Sequence, residues 1–186
     1  MAEYFVLECK GKSPVAAVFL VTDTGSIPWM NGAPVDAPAG PVEYKVNPDY
    51  PGNLRAMYQL AALAMSDDLL AAIQGCGVDN LQVFDAVLRD PVKKITNTNY
   101  KAVNILGLVS LADPAKSKLM HEESLTGMDH DYESLAFDKG KMKNDLLMFR
   151  LAESVNAIVV HEKVKRAIEK AQIPGMVFFE SGEWSG

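Results

Sequence analysis

The sequence predicts an α+β fold, a single domain whose mixed or antiparallel sheet is covered by short helices. Three observations lead there. Aromatic and β-branched runs suited to strands recur from Glu3 to Phe179. Helical patterns are short, each opened by a capping residue and followed by a glycine-containing turn. Strands and helices mix without the regular order of a parallel βαβ fold. At 186 residues, 48% hydrophobic and 23% charged, the chain has the size and composition of one globular domain.

Glu3 to Leu7 reads as a strand, and Val15 to Thr22 as a second or as its continuation past Gly11. The texture then changes. Between Thr22 and Asn53 lie Pro28, Pro34, Pro38, Pro41, Pro48 and Pro51, interspersed with glycines, so no long helix can run there. Val42 to Val46 fits a short edge strand. Trp29 and Met30 are either a docking knob or a cover folded over the core. Residues 1–52 are thus expected as strands and irregular chain packed on a main domain of residues 53–186.

Leu54 to Ala64, rich in alanine, suits a short buried helix or a packed connector. Ser66 precedes Asp67, Asp68, Leu69, Leu70 and Ile73, a serine cap with acids in the first helical turn. Gly75 and Gly77 end that helix before Leu81 to Phe84 resumes a strand pattern. Ninety-five positions further on, His161, Glu162, Val164, Ile168 and Ile173 repeat the places of Ser66, Asp67, Leu69, Ile73 and Val78. The pattern is either an internal repeat of two similar helix–turn–strand units or a coincidence of a common motif. Between the copies, Tyr100 to Leu111 suits a central strand buried on both faces, stopped by Asp113-Pro114. Leu146 to Leu151 and Ala157 to Val160 suit a hairpin-like pair, with Arg150 projecting from the first.

The 18 basic and 24 acidic residues leave a net charge of −6. Such a chain has no general affinity for phosphate backbones, so direct nucleic-acid binding is disfavoured, while a basic partner is compatible with its charge. Cys9 and Cys76 form neither a disulfide framework nor a zinc motif. Nothing approaches the ~20 apolar residues of a membrane span. The run Val15 to Val21 imitates a signal-peptide core, but Glu3 and Glu8 spoil the basic flank. A cytoplasmic, reduced protein is expected.

The polar anomaly is the stretch from His121 to Asp138, where Glu122, Glu123, Asp129, Asp131, Glu133 and Asp138 occur with no lysine or arginine. Six carboxylates so close either steer a cationic partner or form a solvated loop. His121 and Asp129-His130-Asp131 invite a metal, but adjacent residues on a loop point apart, so no metal is expected. His161 stands where a side-chain acceptor caps a helix; a catalytic base is the sharper alternative, but no nucleophile is tied to it. Glycine-rich phosphate loops, nucleophile elbows and H-E-x-x-H are missing, and Gly182 to Gly186 reads as a frayed end.

Several stretches resemble a bacterial immunity-protein family of polymorphic toxin systems, the eleventh in the usual numbering and formerly a domain of unknown function. They are Met65-Ser66-Asp67-Asp68-Leu69-Leu70 leading to Leu81-Gln82-Val83-Phe84, Asn99 to Leu106, and Leu108 to Asp113. Phe149-Arg150-Leu151-Ala152-Glu153, Ile158 to Lys165 and Ile173 to Phe179 complete the likeness. His161 departs from the serine usual there, and residues 22–53 have no counterpart. The resemblance implies a cytoplasmic antidote that binds a cognate antibacterial toxin and protects the cell and its kin. It brings no catalytic residues and no cofactor. An acidic antidote suits a toxin with a basic surface, such as a nuclease. The expected contacts are then Glu122, Glu123, Asp129, Asp131, Tyr132, Glu133 and Asp138. The alternatives are a hydrolase using carboxylates and a histidine, or a small regulatory binding module. The sequence specifies no oligomeric state.

Overall fold

The computed structural model describes residues 3–24, 29–121, 130–142 and 146–186. In chain order the strands are β1 (Tyr4–Cys9), β2 (Val18–Leu20), β3 (Val42–Val46), β4 (Met57–Tyr58) and β5 (Leu63–Ser66), followed by helix α1 (Asp67–Gly75). Next come β6 (Leu81–Asp90), β7 (Ile95–Asn97), β8 (Tyr100–Ile105), β9 (Leu108–Val109), β10 (Lys118–Leu119) and β11 (Tyr132–Ser134). The chain closes with β12 (Met148–Leu151), β13 (Ile158–His161), α2 (Glu162–Lys170) and β14 (Met176–Phe179). The class is α+β, mostly sheet with two helices among the described residues.

The strands form two large sheets and one ribbon. One sheet runs β14-β1-β13-β12-β9, the other β2-β3-β6-β8-β5-β4 with β7 beside β6, and β10 pairs β11. Both large sheets are mixed, because β3–β6 and β9–β12 are parallel among antiparallel neighbours. Residues 4–9 sit between β13 and β14, so the start of the chain is a central strand of the sheet that its end completes.

Apolar alternation places Phe5, Leu7 and Cys9 of β1 on one face and Tyr4 and Val6 on the other. The first face meets Leu63 and Met65 of β5, Val103 and Ile105 of β8, and Ile158 and Val160 of β13 in one core cluster. Leu69, Leu70 and Ile73 of α1 and Val164 and Ile168 of α2 join that cluster. The sheets therefore curve around a common apolar layer, a nearly closed, barrel-like arrangement.

The surroundings of the two helix starts run in parallel. Ser66 Oγ accepts from Leu69 N at 3.4 Å, and His161 Nδ1 accepts from Lys163 N at 3.0 Å, so both residues act as N-caps. Ser66 N donates to Ala56 O and His161 N to Leu147 O; Asp67 N donates to Asn99 O and Glu162 N to Glu3 O. Ser66 stands opposite Tyr100, and His161 opposite Tyr4.

Two expectations need correction. The run from Tyr100 to Leu111 is two strands in different sheets, because Gly107, at φ +93°, turns the chain between β8 and β9. Gly32 seats there: its carbonyl accepts from Gly107 N at 2.8 Å, and a Cβ on it would meet Gly107 C at 2.7 Å. The strand Val42 to Val46 is interior, flanked by β2 and β6, with Val42, Tyr44 and Val46 fully buried. Trp29 is 3% exposed and meets the Phe84 ring at 5.4 Å, so it covers the core. The proline-rich strap around it is held by side-chain amides, which replace the donors that proline lacks. Gln82 exchanges hydrogen bonds with the backbone of Val35, and Asn104 donates to Ala33 O.

Burial also sets the response to alkali. Tyr44 and Tyr100 lie well above the ordinary phenol value of 10.0 through burial, and Tyr58 and Tyr132 are pushed the same way. Their contribution to stability is complete below pH 10.0 and is lost as pH rises through the folded-state values. Buried Arg150, pushed down to about 10 from 12.5, acts in the opposite sense over that window, but the tyrosines outnumber it. Denaturant midpoints should therefore fall above pH 10.0, and replacing Tyr44 and Tyr100 by Phe should flatten that fall. Phenolate absorbance followed in parallel should lag behind that of the unfolded chain.

Candidate interaction site at the acidic segment

The described part of the acidic stretch is held by three anchors. Lys118 and Leu119 of β10 pair with Ser134 and Tyr132 of β11, with a register shift between them. On the other edge of β11, Tyr132 and Gly186 exchange backbone hydrogen bonds at 2.6 and 3.0 Å, and Leu135 N donates to Trp184 O at 3.0 Å. The third anchor is Glu153, in the turn between β12 and β13. Its carbonyl accepts from His130 N at 2.8 Å, while its carboxylate accepts from Ser110 Oγ at 2.5 Å and Leu111 N at 3.3 Å.

The C-terminus is consequently not frayed. Trp184 is 3% exposed, and its Nε1 donates to Glu8 Oε1 at 2.7 Å, a charge-assisted bond that satisfies a buried indole. Arg150 braces the turn that carries Glu153, with Nη1 donating to Val155 O at 2.7 Å. It is only 2% exposed, its Nε has no partner, and no carboxylate lies within 4.0 Å among the described residues. The lone basic residue inside the apolar run Met148-Phe149-Arg150-Leu151 was the sequence signal for it.

Strand geometry sorts the expected contact residues. Tyr132 points inward, 4% exposed, and packs with Leu135, Phe137 and Trp184, whereas Asp131 and Glu133 on either side are exposed on the opposite face. Asp138 is half-buried and closes a local turn by accepting from Gly140 N at 2.9 Å. Glu122, Glu123 and Asp129 lie outside the described residues.

Beside β11 opens a hollow of about 270 Å³, lined by Ala112, Pro114, Leu119 and Tyr132 with the polar groups of Ser117, His130, Lys141 and Glu153. His130 stands edge-on to Tyr132, and its Nδ1 is buried without a partner. Ser117 Oγ is committed to the backbone of Ala136 as both donor and acceptor. The exposed Asp113–Lys116 pair at 2.7 Å holds the Asp113 carboxyl below its ordinary range. His161, spent as a helix cap with its ring edge-on to Tyr4, lies outside the hollow lining. The arrangement offers outward carboxylates, an apolar floor and one free imidazole acceptor or donor. Among the described groups lining the hollow, no nucleophile is paired with a base.

Among the described residues, no helix is long and apolar enough to cross a membrane. No family model matches the chain, and no curated protein matches it.

The tail should be a structural member of the site. Trp184→Ala should cost about 3–5 kcal/mol in denaturant unfolding, the range for losing a large buried aromatic. It should also speed amide exchange at residues 132–136 more than at β5 or β8. Equal speeding at all three would mean that the tail merely adds global stability.

Proposed function

We propose that this chain is an immunity protein that binds a cognate antibacterial toxin stoichiometrically and neutralises it, acting in the cytoplasm to protect the cell and its kin. The observation that carries the reading is the described edge of the acidic segment: Asp131 and Glu133 are exposed on either side of Tyr132, which turns the other way and is buried. Exposed carboxylates held in place by a buried neighbour suit recognition of a cationic protein surface, where they speed association. The family resemblance supports the same reading. Its stretches fall on β5–α1, β6, β8, β12, β13, α2 and β14, which contribute to the shared core, and on β9, which packs on the second cluster. A toxin with a basic surface, a nuclease among them, is the partner these carboxylates suit.

The two helix–turn–strand segments are read as equivalent units. The matched hydrogen bonds at Ser66 and His161 support this, as do the strand orders β4-β5-β8-β6 and β12-β13-β1-β14. In the first unit the inner strand β8 follows β6, whereas in the second its counterpart β1 opens the chain.

A second reading, a hydrolase using His130 and Glu153, draws on their shared place in the hollow lining. One experiment separates the two. The C-terminal toxin domains encoded by neighbouring large open reading frames are expressed with and without this chain. Growth rescue with a one-to-one complex is the expected result. Asp131→Asn with Glu133→Gln should then slow association by about tenfold at low salt and flatten its salt dependence. Unchanged association rates reject this face but keep the role. Rescue at substoichiometric levels that is lost in His130→Ala would instead make the chain an enzyme.

A further inference from the structure

A second cleft, of about 390 Å³, lies away from the acidic segment. It is lined by Glu8 and Cys9 of β1, residues 16–18, and Arg55 to Leu60 apart from Ala56. Arg55 is fixed there from several sides. Its backbone N donates to Tyr58 Oη at 3.0 Å, its carbonyl accepts from Tyr100 Oη at 2.8 Å, and Nη1 donates to Cys9 O at 3.2 Å. Its stem passes Gly11, at φ +71°, so closely that a Cβ there would stand 2.9 Å from Arg55 Cγ. The guanidinium lies 6.0 Å from the Tyr58 ring centroid.

Among the described residues this immobilised cation has no counter-ion. Among the described residues no carboxylate lies within 4.0 Å of it, and its Nε is buried without a partner. Nη2 likewise carries no hydrogen bond. Glu8, the one acid of the cleft, already accepts from Trp184 Nε1. A rigid guanidinium with a spare donor at Nη2 matches a carboxylate, whose charge it can meet with a charge-assisted hydrogen bond. Val18, Met57, Leu60 and the Tyr58 ring supply apolar walls for an organic body. The negative charge of Glu8 in the same cleft disfavours a dianion such as phosphate. We propose that the Arg55 cleft binds a small organic monocarboxylate with a compact apolar body, a ligand site separate from the protein-binding face and independent of the toxin reading.

The test titrates the full chain with isovalerate, its neutral amide isovaleramide, and inorganic phosphate, by calorimetry and by NMR at the Arg55 Nε–H. Saturable isovalerate binding that moves the Nε–H resonance is expected, with weaker or no binding of the other two probes. Arg55→Gln should weaken isovalerate by about ten- to a hundredfold, the loss of a charged hydrogen bond. Ala17→Phe should block the cleft from its exposed wall while keeping Arg55, and decides the matter if Arg55→Gln fails to fold. Absence of saturable binding, equal affinity for the amide, preference for phosphate, or isovalerate binding undiminished in Ala17→Phe would each overturn the assignment.

Discussion

One apolar layer holds this molecule together. Both large sheets and both helices place their inward residues in the same cluster, with Leu7, Leu63, Leu69, Ile73, Val103, Ile158, Val160 and Val164 completely shielded from solvent. Neither helix is long enough to stand alone in water, since each has 9 residues. Their stability comes from burial on this layer, and the caps at Ser66 and His161 set where each helix leaves its strand. Insertion of β1 between β13 and β14 makes the arrangement cooperative across the chain, because the last sheet cannot form without the first strand.

The acidic segment depends on that frame at second hand. Its residues take little from the central cluster and instead join a second one with Tyr4, Val6, Phe149 and Val159, the outer faces of strands whose inner faces build the first. Glu153 and the C-terminal tail then hold β11 from two sides, so that a short strand with few ladder bonds presents Asp131 and Glu133 in a fixed place. For the binding role proposed above, such pre-organisation spares the cost of ordering a loop on contact. Arg150, buried with no anion beside it among the described residues, holds the turn of Glu153 at an energetic penalty that an apolar residue would not incur.

Local chemistry was legible in the sequence. The caps at Ser66 and His161, the helices behind them and the paired strands around Phe149 and Val159 follow from side-chain acceptors, first-turn acids and apolar spacing. What depends on distant partners was not. Whether Val42 to Val46 is an edge or an interior strand is decided by β2 and β6, not by its own residues. The division of residues 100–111 between two sheets rests on a positive φ at Gly107 that any glycine could adopt. The bond joining Trp184 to Glu8 spans 176 positions, and no local pattern announces it. The acidity of residues 121–138 was plain, but Tyr132 turns inward because strand alternation and the tail position it, and neither is visible before the fold is known. The Arg55 cleft left no sequence signal, since its walls come from three separate stretches.

Native-state hydrogen exchange of the free chain tests the shared core most directly. Amides in β1, β5, β8 and β13 should exchange only through global unfolding, all with one free energy that matches denaturant unfolding. Opening of β1, β13 and α2 at a distinctly lower free energy than β5, β8 and α1 would contradict the account, because the chain would then be two separable halves rather than one frame.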